Sequence, residues 1–146
     1  LRLGEAQNAV DGHHRRTSRG PTHMWISDPA DGLPQSLELS WPEARRFERV
    51  ALAFDNLCAA RHKNPWESGA RVVPWCVRAY SLEAWAEGRW REIVCEEGNY
   101  HRFREHRFAP VTTARLRLTV RSTHGEGQSA RVYRISAYDG TRKDTR

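Results

Sequence analysis

The chain has 146 residues, of which 38% are hydrophobic and 29% are charged, and its formal net charge is +6 at pH 7. This length suits one domain, and the small apolar fraction favours a β-sandwich in which each strand buries one face. No apolar run is long enough to span a membrane, and the first residues lack the pattern of a signal peptide. We expect a single domain over residues 1–146, with its core over 5–139 and a polar tail over 140–146.

The positive charge comes almost entirely from arginine, since Lys63 and Lys143 are the only lysines. The arginines are spread along the chain and often stand beside glutamate, as in residues 43–49 and 102–107. A nucleic-acid-binding domain concentrates its basic residues on one face. An ion-paired, solvated surface is therefore predicted, and nucleic acid is not the expected partner.

Three cysteines are present, at Cys58, Cys76 and Cys95. No pair has C-x-x-C spacing, so neither a zinc site nor a redox motif is predicted, and an odd number leaves at least one thiol unpaired. Free, partly buried thiols are expected, which favours a reducing compartment. We expect no cofactor.

Eight strands are predicted from alternating apolar positions, with no helix. They cover residues 5–12, 36–41, 47–55, 75–84, 89–94, 101–108, 112–121 and 130–138. Residues 13–35 and 56–74 are predicted as long loops, which in compact domains are usually functional or well packed. The first of these loops is expected to be anchored by its apolar residues 24–26, and Pro42-Glu43 is predicted to form a turn.

The hairpin at residues 80–94 is the centre of the predicted sheet. Tyr80, Leu82 and Ala84 share one face of its first strand, and Glu87-Gly88 suits a tight turn with positive φ. Val77 and Ala79 have the opposite parity, which predicts a β-bulge near Ala79.

The last two strands have their own inward-facing sets. In the strand at 112–121 these are Ala114, Leu116, Leu118 and Val120. In the strand at 130–138 they are Tyr133, Ile135 and Ala137.

The tryptophans divide into three predicted roles. Trp25, Trp41 and Trp90 are expected in the core. Trp85 has outward parity, so it is expected to pack under a loop or to mark an interface with a neighbouring domain. Trp66 stands in an Arg/His/Asn/Pro-rich loop, where it is either a platform for a ligand or a plug that ties the loop down.

Four collinear motifs resemble the coagulation factor V/VIII type C (discoidin) domain. They are residues 8–12, 25–27 with 37–39, 80–90 and 106–118. The resemblance extends from about Asn8 to Tyr138. It implies an all-β, eight-stranded antiparallel jelly-roll sandwich of the galactose-binding-like kind, a family that includes carbohydrate-binding modules.

A narrower resemblance is to discoidin-like domains appended to bacterial FAD-dependent oxidoreductases. It rests on residues 74–78, 98–102 and 106–108. It implies an accessory domain, with the flavin bound elsewhere, because the sequence contains no G-x-G-x-x-G fingerprint.

Catalysis is not expected. The sequence has no G-x-S-x-G, no H-E-x-x-H and no P-loop. Adjacent strand residues face opposite ways, as do residues five apart, so His13 with His14 and His101 with His106 do not form ready metal sites.

Binding is the favoured function, because a jelly roll gathers loops at the ends of its sandwich. In sugar-binding relatives an aromatic platform and Arg, His and Asn donors hold the ligand there, and a sugar's apolar face and hydroxyls require both. The candidates from separate loops are His13, Arg15, Arg61, Asn64, Trp66, Asn99, Tyr100 and His124. The partner is thus expected to be a glycan; the alternatives are docking onto a parent catalytic domain, or attachment to an anionic membrane or nucleic acid through the arginines.

Many sugar-binding relatives hold a structural Ca²⁺ near the first turn. The resemblance places Asp11 at that turn and Arg134 where those relatives carry an acid. Calcium needs six to eight oxygen ligands, and arginine offers none and adds a repelling charge. Asp11 is the one weak metal candidate. We expect Arg134 to lie near Asp11 or a neighbouring carbonyl, so that the loop closes without metal.

Overall fold

The computed structural model describes residues 6–10, 24–56 and 72–139. All paired strands in these residues are antiparallel, in the order β1-β6-β2-β5-β3-β4. The elements are a 3₁₀ helix, η1 (Ala6–Val10), and the strands β1 (Trp25–Ile26), β2 (Gln35–Phe54), β3 (Val77–Ala86), β4 (Arg89–Glu96), β5 (Phe103–Thr123) and β6 (Arg131–Tyr138). The predicted all-β antiparallel fold is confirmed.

The predicted first strand at residues 5–12 is wrong in its described part. Residues 6–10 form η1, which contacts β6 and β1. The short helix packs Ala9 into the core and leaves Val10 53% exposed. A strand would have placed apolar residues on alternate positions, whereas here a single small residue is enough to anchor the segment.

β2 and β5 are long strands that bend, and each contains two of the predicted strands. The pairing between them shifts register between Ser40 and Arg45. Pro42 lies in this interval, and proline has no N–H to donate to a ladder. The predicted turn at Pro42-Glu43 is therefore a corner within β2 and not a chain reversal. When β2 and β5 are each counted as two halves, seven of the eight predicted strands are present in the described residues, and β1, which lies in a segment predicted as a loop, is the eighth strand.

The bends divide the strands into two facing layers. Residues 45–54 of β2 and 103–113 of β5 pair with each other, and β6 and β1 extend this layer. Residues 35–40 of β2 and 115–120 of β5 pair in the other layer, which β3 and β4 extend. The rings of Phe54 and Tyr80 meet across the layers, with centroids 5.2 Å apart.

The core lies between these layers and contains the residues that alternation predicted. Leu116, Leu118 and Val120 of β5 and Tyr80 and Leu82 of β3 are fully buried. The predicted apolar anchor at residues 24–26 is also confirmed, since Met24 and Trp25 are buried.

Two inward predictions are corrected. Tyr133 is buried, but it belongs to a separate small cluster with Met24 and Ala53. The pairing of β6 with β2 shifts register there, so Tyr133 turns to the opposite face from Ile135. Trp90 is not a core plug: it lies directly opposite Trp85 across the β3–β4 hairpin, and directly opposite residues share a face.

The central hairpin has the predicted turn and bulge. Glu87 and Gly88 both have positive φ, 53° and 74°, as a two-residue type I′ turn requires. The pairing of β3 with β5 shifts register on both sides of Ala79, where the bulge is predicted.

In the described residues, the loops that connect strands of different layers meet at one end of the sandwich. Residues 27–34 lead into β2, residues 97–102 lead into β5, and residues 124–130 lead into β6. The described parts of the β2–β3 connection, residues 55–56 and 72–76, also lie at this end. The turn of the β3–β4 hairpin lies at the opposite end, so the candidate binding loops share one surface, named the loop end below.

Candidate functional site

A cleft of about 490 Å³ opens at the loop end, between residues 27–33 and 122–129. Its volume is in the range of small-molecule sites. Arg78 at the start of β3 and Arg121 near the end of β5 contribute its charged floor, and Asp28, His124 and Gln128 are among its walls. The cleft therefore offers donors and acceptors from three separate segments.

The described lining carries both signs of charge. Asp28 and Glu126 line it together with Arg78 and Arg121. Arg121 donates to Glu97 over 2.7 Å, a hydrogen bond that raises the pKa of Arg121 and lowers the pKa of Glu97. Because Arg121 is neutralised in this way, the cleft is polar without a net excess of positive charge.

Arg78 is the available cation of this lining. Its residue is exposed, and its guanidinium hydrogen-bonds to none of the described residues. Its backbone is fixed, because its carbonyl oxygen accepts a hydrogen bond of 2.9 Å from the amide N–H of Asn99. The sequence predicted Arg78 only as a strand residue, and its place at the cleft is set by the loops that gather around the start of β3.

His124 lies at the edge of the cleft and is exposed. Its Nε2 is 2.6 Å from the carbonyl oxygen of Asn99, and its own amide N–H donates to Cys76 over 3.1 Å. These contacts fix the imidazole ring on the loop that carries Tyr100. The structure thus brings His124 together with the loop of Asn99 and Tyr100, which the sequence predicted as a separate loop.

Asn99 does not face a ligand, in contrast to the prediction, because it is fully buried. Its Nδ2 donates to the carbonyl oxygens of Val77 (2.8 Å) and His101 (3.2 Å). Its Oδ1 accepts from the N–H of His101 (3.2 Å) and from Arg104 (3.3 Å). Its polar atoms are therefore used within the protein, and Asn99 positions the loop at 97–102.

Tyr100 is the exposed aromatic residue of this loop. It is 56% exposed, and its ring lies 4.2 Å from the ring of His101, tilted by 32°. Its carbonyl oxygen accepts a 2.7 Å hydrogen bond from Nδ2 of Asn56. An aromatic side chain that is held at its backbone and open on its ring suits a stacking platform.

The other predicted ligand residues lie outside the described residues. They are His13, Arg15, Arg61, Asn64 and Trp66. The residues that flank positions 57–71 are anchored at the loop end, since Asn56 bonds to Tyr100 and Pro74 accepts from the N–H of Gly125 over 2.7 Å. The role of Trp66 as a platform remains a prediction.

Trp85 lies on the outer face of its layer, as its parity predicted. Its ring meets that of Trp90 edge to face, with centroids 5.2 Å apart. Arg115 covers both rings at 4.8 and 5.0 Å and donates to Glu38 over 2.6 Å. This cation–π contact covers the pair within the chain itself. The role of Trp85 as an interface residue remains a prediction.

Two of the three cysteines are described. Cys76 is buried and free, and Cys95 is exposed and free, so they do not bridge each other. Burial raises the pKa of the Cys76 thiol to about 12, with a further contribution from the charge of Asp55, and this holds it protonated. Cys58 lies outside the described residues.

A second groove, of about 450 Å³, lies away from the loop end. Val10, the residue before Asp11, and Arg134 line it together. Arg134 donates through Nε to Ser136 (2.7 Å) and through Nη2 to Tyr138. Asp11 itself lies outside the described residues, so its proximity to Arg134 remains a prediction.

We expect folding without calcium, because a guanidinium occupies the position that the resemblance assigns to an acidic ligand. Calorimetry with millimolar Ca²⁺, and separately with chelator, should give the same melting temperature. A melting temperature that rises with Ca²⁺ and falls with chelator would show a functional site, because a ligand that binds the folded state stabilises it. Within residues 6–10, 24–56 and 72–139, no three His, Cys, Asp or Glu side chains are grouped to hold a metal ion.

The sequence matches no protein-family profile and no curated protein. Solved structures do share its fold. The family 32 carbohydrate-binding module of Streptococcus pneumoniae EndoD has a TM-score of 0.70 at 17% identity, with 95% of this chain and 88% of that one covered. The family 32 module of C. perfringens NanJ, solved with galactose, has a TM-score of 0.65 at 19% identity, over 92% and 84%.

A chitosan-binding module from Paenibacillus sp. IK-5, solved with chitotriose, has a TM-score of 0.64 at 15% identity, over 93% and 87% of the two chains. The chain therefore has the galactose-binding-like sandwich fold of these carbohydrate-binding modules, and the discoidin resemblance is supported at the level of fold. No helix in the described residues has the length and apolar character of a membrane span.

Proposed function

We propose that this chain is a non-catalytic carbohydrate-binding module that holds its ligand at the loop end. The observation that carries the proposal is the fold, which it shares with modules solved in complex with galactose, GalNAc-β-1,3-galactose and chitotriose. The loop-end cleft supplies a site of suitable size on the surface where the connections between the layers meet.

The chemistry of the loop end fits a polyhydroxylated ligand. Hydroxyl groups both donate and accept, and the lining offers donors on Arg78 and Gln128 and an acceptor on Asp28. The exposed ring of Tyr100 supplies an apolar surface for the C–H face of a sugar. His124 joins the two parts, since its ring contacts the backbone of Asn99 next to Tyr100.

The charge distribution does not favour an anionic membrane or nucleic acid as the partner. Arginines of the described outer faces pair with carboxylates, as in Arg115–Glu38, Arg117–Glu83 and Arg49–Glu105. Pairing of this kind removes the one-sided field that would attract a polyanion.

An accessory role within a larger protein is the second candidate. The structure of SpGH29 contains this fold in part of its length: the match covers 93% of this chain but 24% of that one, with a TM-score of 0.65 at 20% identity. A glycan site and attachment to a parent catalytic domain are compatible. The narrower resemblance to domains of FAD-dependent oxidoreductases supports one such parent and remains a proposal.

Tyr100→Ala tests the glycan site. Loss of a stacking ring should weaken glycan binding by about tenfold, or about 1.4 kcal/mol, which is within the range of aromatic contacts. The free energy of unfolding should change by about 0.5 kcal/mol or less, since the side chain is exposed and the backbone acceptor for Asn56 remains. A glycan array identifies the ligand, and calorimetric titration with that glycan measures the change.

Phe103→Ala is the matched control, because Phe103 is an equally exposed aromatic residue, 55% against 56%, but lies on β5 and not on the loop that contacts His124. It should bind the glycan as the unmodified protein does. An array without any binder contradicts the proposed function, and equal losses in both variants contradict the assignment of Tyr100.

A further inference from the structure

A polar cluster lies between the two layers, in contact with the loop end. His106 on β5 points inward, and its Nε2 is 2.5 Å from the hydroxyl oxygen of Tyr80 on β3. The two rings meet edge to face, with centroids 5.7 Å apart. This hydrogen bond connects the two layers of the sandwich through one titratable side chain.

The burial of Tyr80 decides which atom donates. Tyr80 is fully buried, and among the described residues its hydroxyl has no hydrogen-bond partner other than His106. A buried hydroxyl proton without an acceptor is costly. The satisfied arrangement is therefore the hydroxyl donating to an unprotonated Nε2, with the ring proton on Nδ1. Protonation of Nε2 would make it a donor as well and leave the Tyr80 proton without an acceptor.

The charged groups around His106 also oppose a second positive charge. Arg104, two residues earlier on the same face of β5, donates to Glu96 of β4 over 2.6 Å. β2 contributes the apolar residues Val50 and Leu52, which pair with His106 and Arg104. Burial, and then the charge of Arg104, lowers the pKa of His106 from its ordinary value of 6.5, while Glu96 acts in the opposite direction.

Arg104 connects this cluster to the binding loop. Its Nη1 donates to Oδ1 of Asn99 over 3.3 Å while its Nη2 holds Glu96. Asn99 in turn holds His124 through its carbonyl oxygen and Arg78 through its amide N–H. A protonated His106 would compete with Arg104 for Glu96. A displacement of Arg104 from Glu96 would also move Arg104 away from Asn99, to which it donates.

We propose that Tyr80, His106, Arg104 and Glu96 form an acid-sensitive latch: unprotonated His106 holds the loop at 97–102 in place, and its protonation releases the loop. The consequence for a ligand rests on the proposed function, since Tyr100 and His124 then lose their positions and a glycan bound at neutral pH dissociates in acid.

The direction of the effect follows from linkage. A base whose pKa is lowered by folding binds fewer protons in the folded state than in the unfolded state. The contribution of His106 to the free energy of unfolding is therefore fully present above pH 6.5, the ordinary pKa of histidine. It is lost as the pH falls from there through the lower pKa that His106 has in the folded protein.

Amide hydrogen exchange tests the latch without a ligand. We expect protection of residues 97–102, corrected for intrinsic exchange, to fall about tenfold between about pH 7.5 and about pH 5, because His106 gains its proton over this range. His106→Gln should remove most of this pH dependence, because the Gln carbonyl can accept from Tyr80 but does not titrate. His101→Gln, which changes an exposed histidine of the same loop, should keep it.

Tyr80→Phe keeps the proposal testable if His106→Gln does not fold. Without the hydroxyl, protonation of His106 loses one of its costs, so the midpoint of loop release should move to higher pH. NMR titration of the His106 ring in the unmodified protein should give a midpoint below 6.5, coincident with the exchange change. The latch proposal is overturned if the His106 ring titrates at its ordinary value. It is also overturned if the amide protection of residues 97–102 does not change as His106 titrates.

Galactose binding, measured at both pH values, separates the two proposals. The latch acts on the site if galactose binds more weakly in acid and if this pH difference is absent from His106→Gln. The absence of galactose binding at both pH values counts against that ligand in the proposed function, and the exchange result still decides the latch. Binding that is equal at both pH values while the loop is released contradicts the link between them.

Discussion

Gly125→Ala should lower the free energy of unfolding by about 1–3 kcal/mol, the usual cost of overpacking a close contact. A Cβ at this position would lie 2.6 Å from Cβ of Pro74 and 3.2 Å from its Cα and carbonyl oxygen. Pro74 cannot rotate away, because the clash involves its ring carbon and its backbone. The N–H of Gly125 also donates to that carbonyl over 2.7 Å, so relief of the clash breaks a hydrogen bond.

Gly98→Ala is the control for this change. Gly98 lies at the same end of the sandwich, and an added Cβ there meets nothing within 4 Å. Denaturant unfolding should give a change of about 0.5 kcal/mol or less for Gly98→Ala. Similar stabilities for the two variants would show that residues 72–76 are not packed against the β5–β6 connection as described.

Asn99→Ala should be the most damaging change at the loop end, with a loss of about 2–4 kcal/mol in the free energy of unfolding. The truncation removes four hydrogen bonds and leaves the carbonyl oxygen of Val77 without its buried donor. Binding of the array-identified glycan should fall as well, because Asn99 fixes the backbone to which His124 is bonded.

Asn56→Ala is the matched control. Among the described residues, Asn56 makes one side-chain hydrogen bond, from Nδ2 to Tyr100. Its loss should cost about 1 kcal/mol, the net value of one hydrogen bond. Thermal and urea unfolding of both variants, followed by tryptophan fluorescence, measure the difference. Equal stabilities would mean that the buried amide of Asn99 does not organise the loop.

Strand patterning predicted most of the frame. The alternation in residues 112–121 and the parity shift at Ala79 come from local contacts of side chains with one core face, so they are visible in the sequence. The corner at Pro42 was predicted as a turn, because proline interrupts the hydrogen-bonded ladder both in a chain-reversing turn and in a bend within one strand. Whether the chain reverses there depends on distant pairing with β5, which no local pattern contains.

The site was predicted less completely. Residue type alone indicated Tyr100 and His124 as candidates, since aromatic residues and histidines in loops suit a ligand, and both are exposed in the structure. Asn99 is also a polar residue of the loop that carries Tyr100, but it is buried, and its amide donates to the carbonyl oxygen of Val77, which is 22 residues away in sequence. Arg78 was assigned to a strand, because only the gathering of the loops shows that its strand begins at the cleft.

The bent strands of the sandwich have a consequence for how the module folds. Gln35 pairs with Val120, so more than half of the chain lies between two hydrogen-bonded neighbours. Contacts between such distant positions carry a large entropy of loop closure and slow the search for the native pairing. Because β2 and β5 run unbroken through both layers, neither layer can be completed before the other. The domain is therefore expected to acquire its loop end late and all at once, as one cooperative unit.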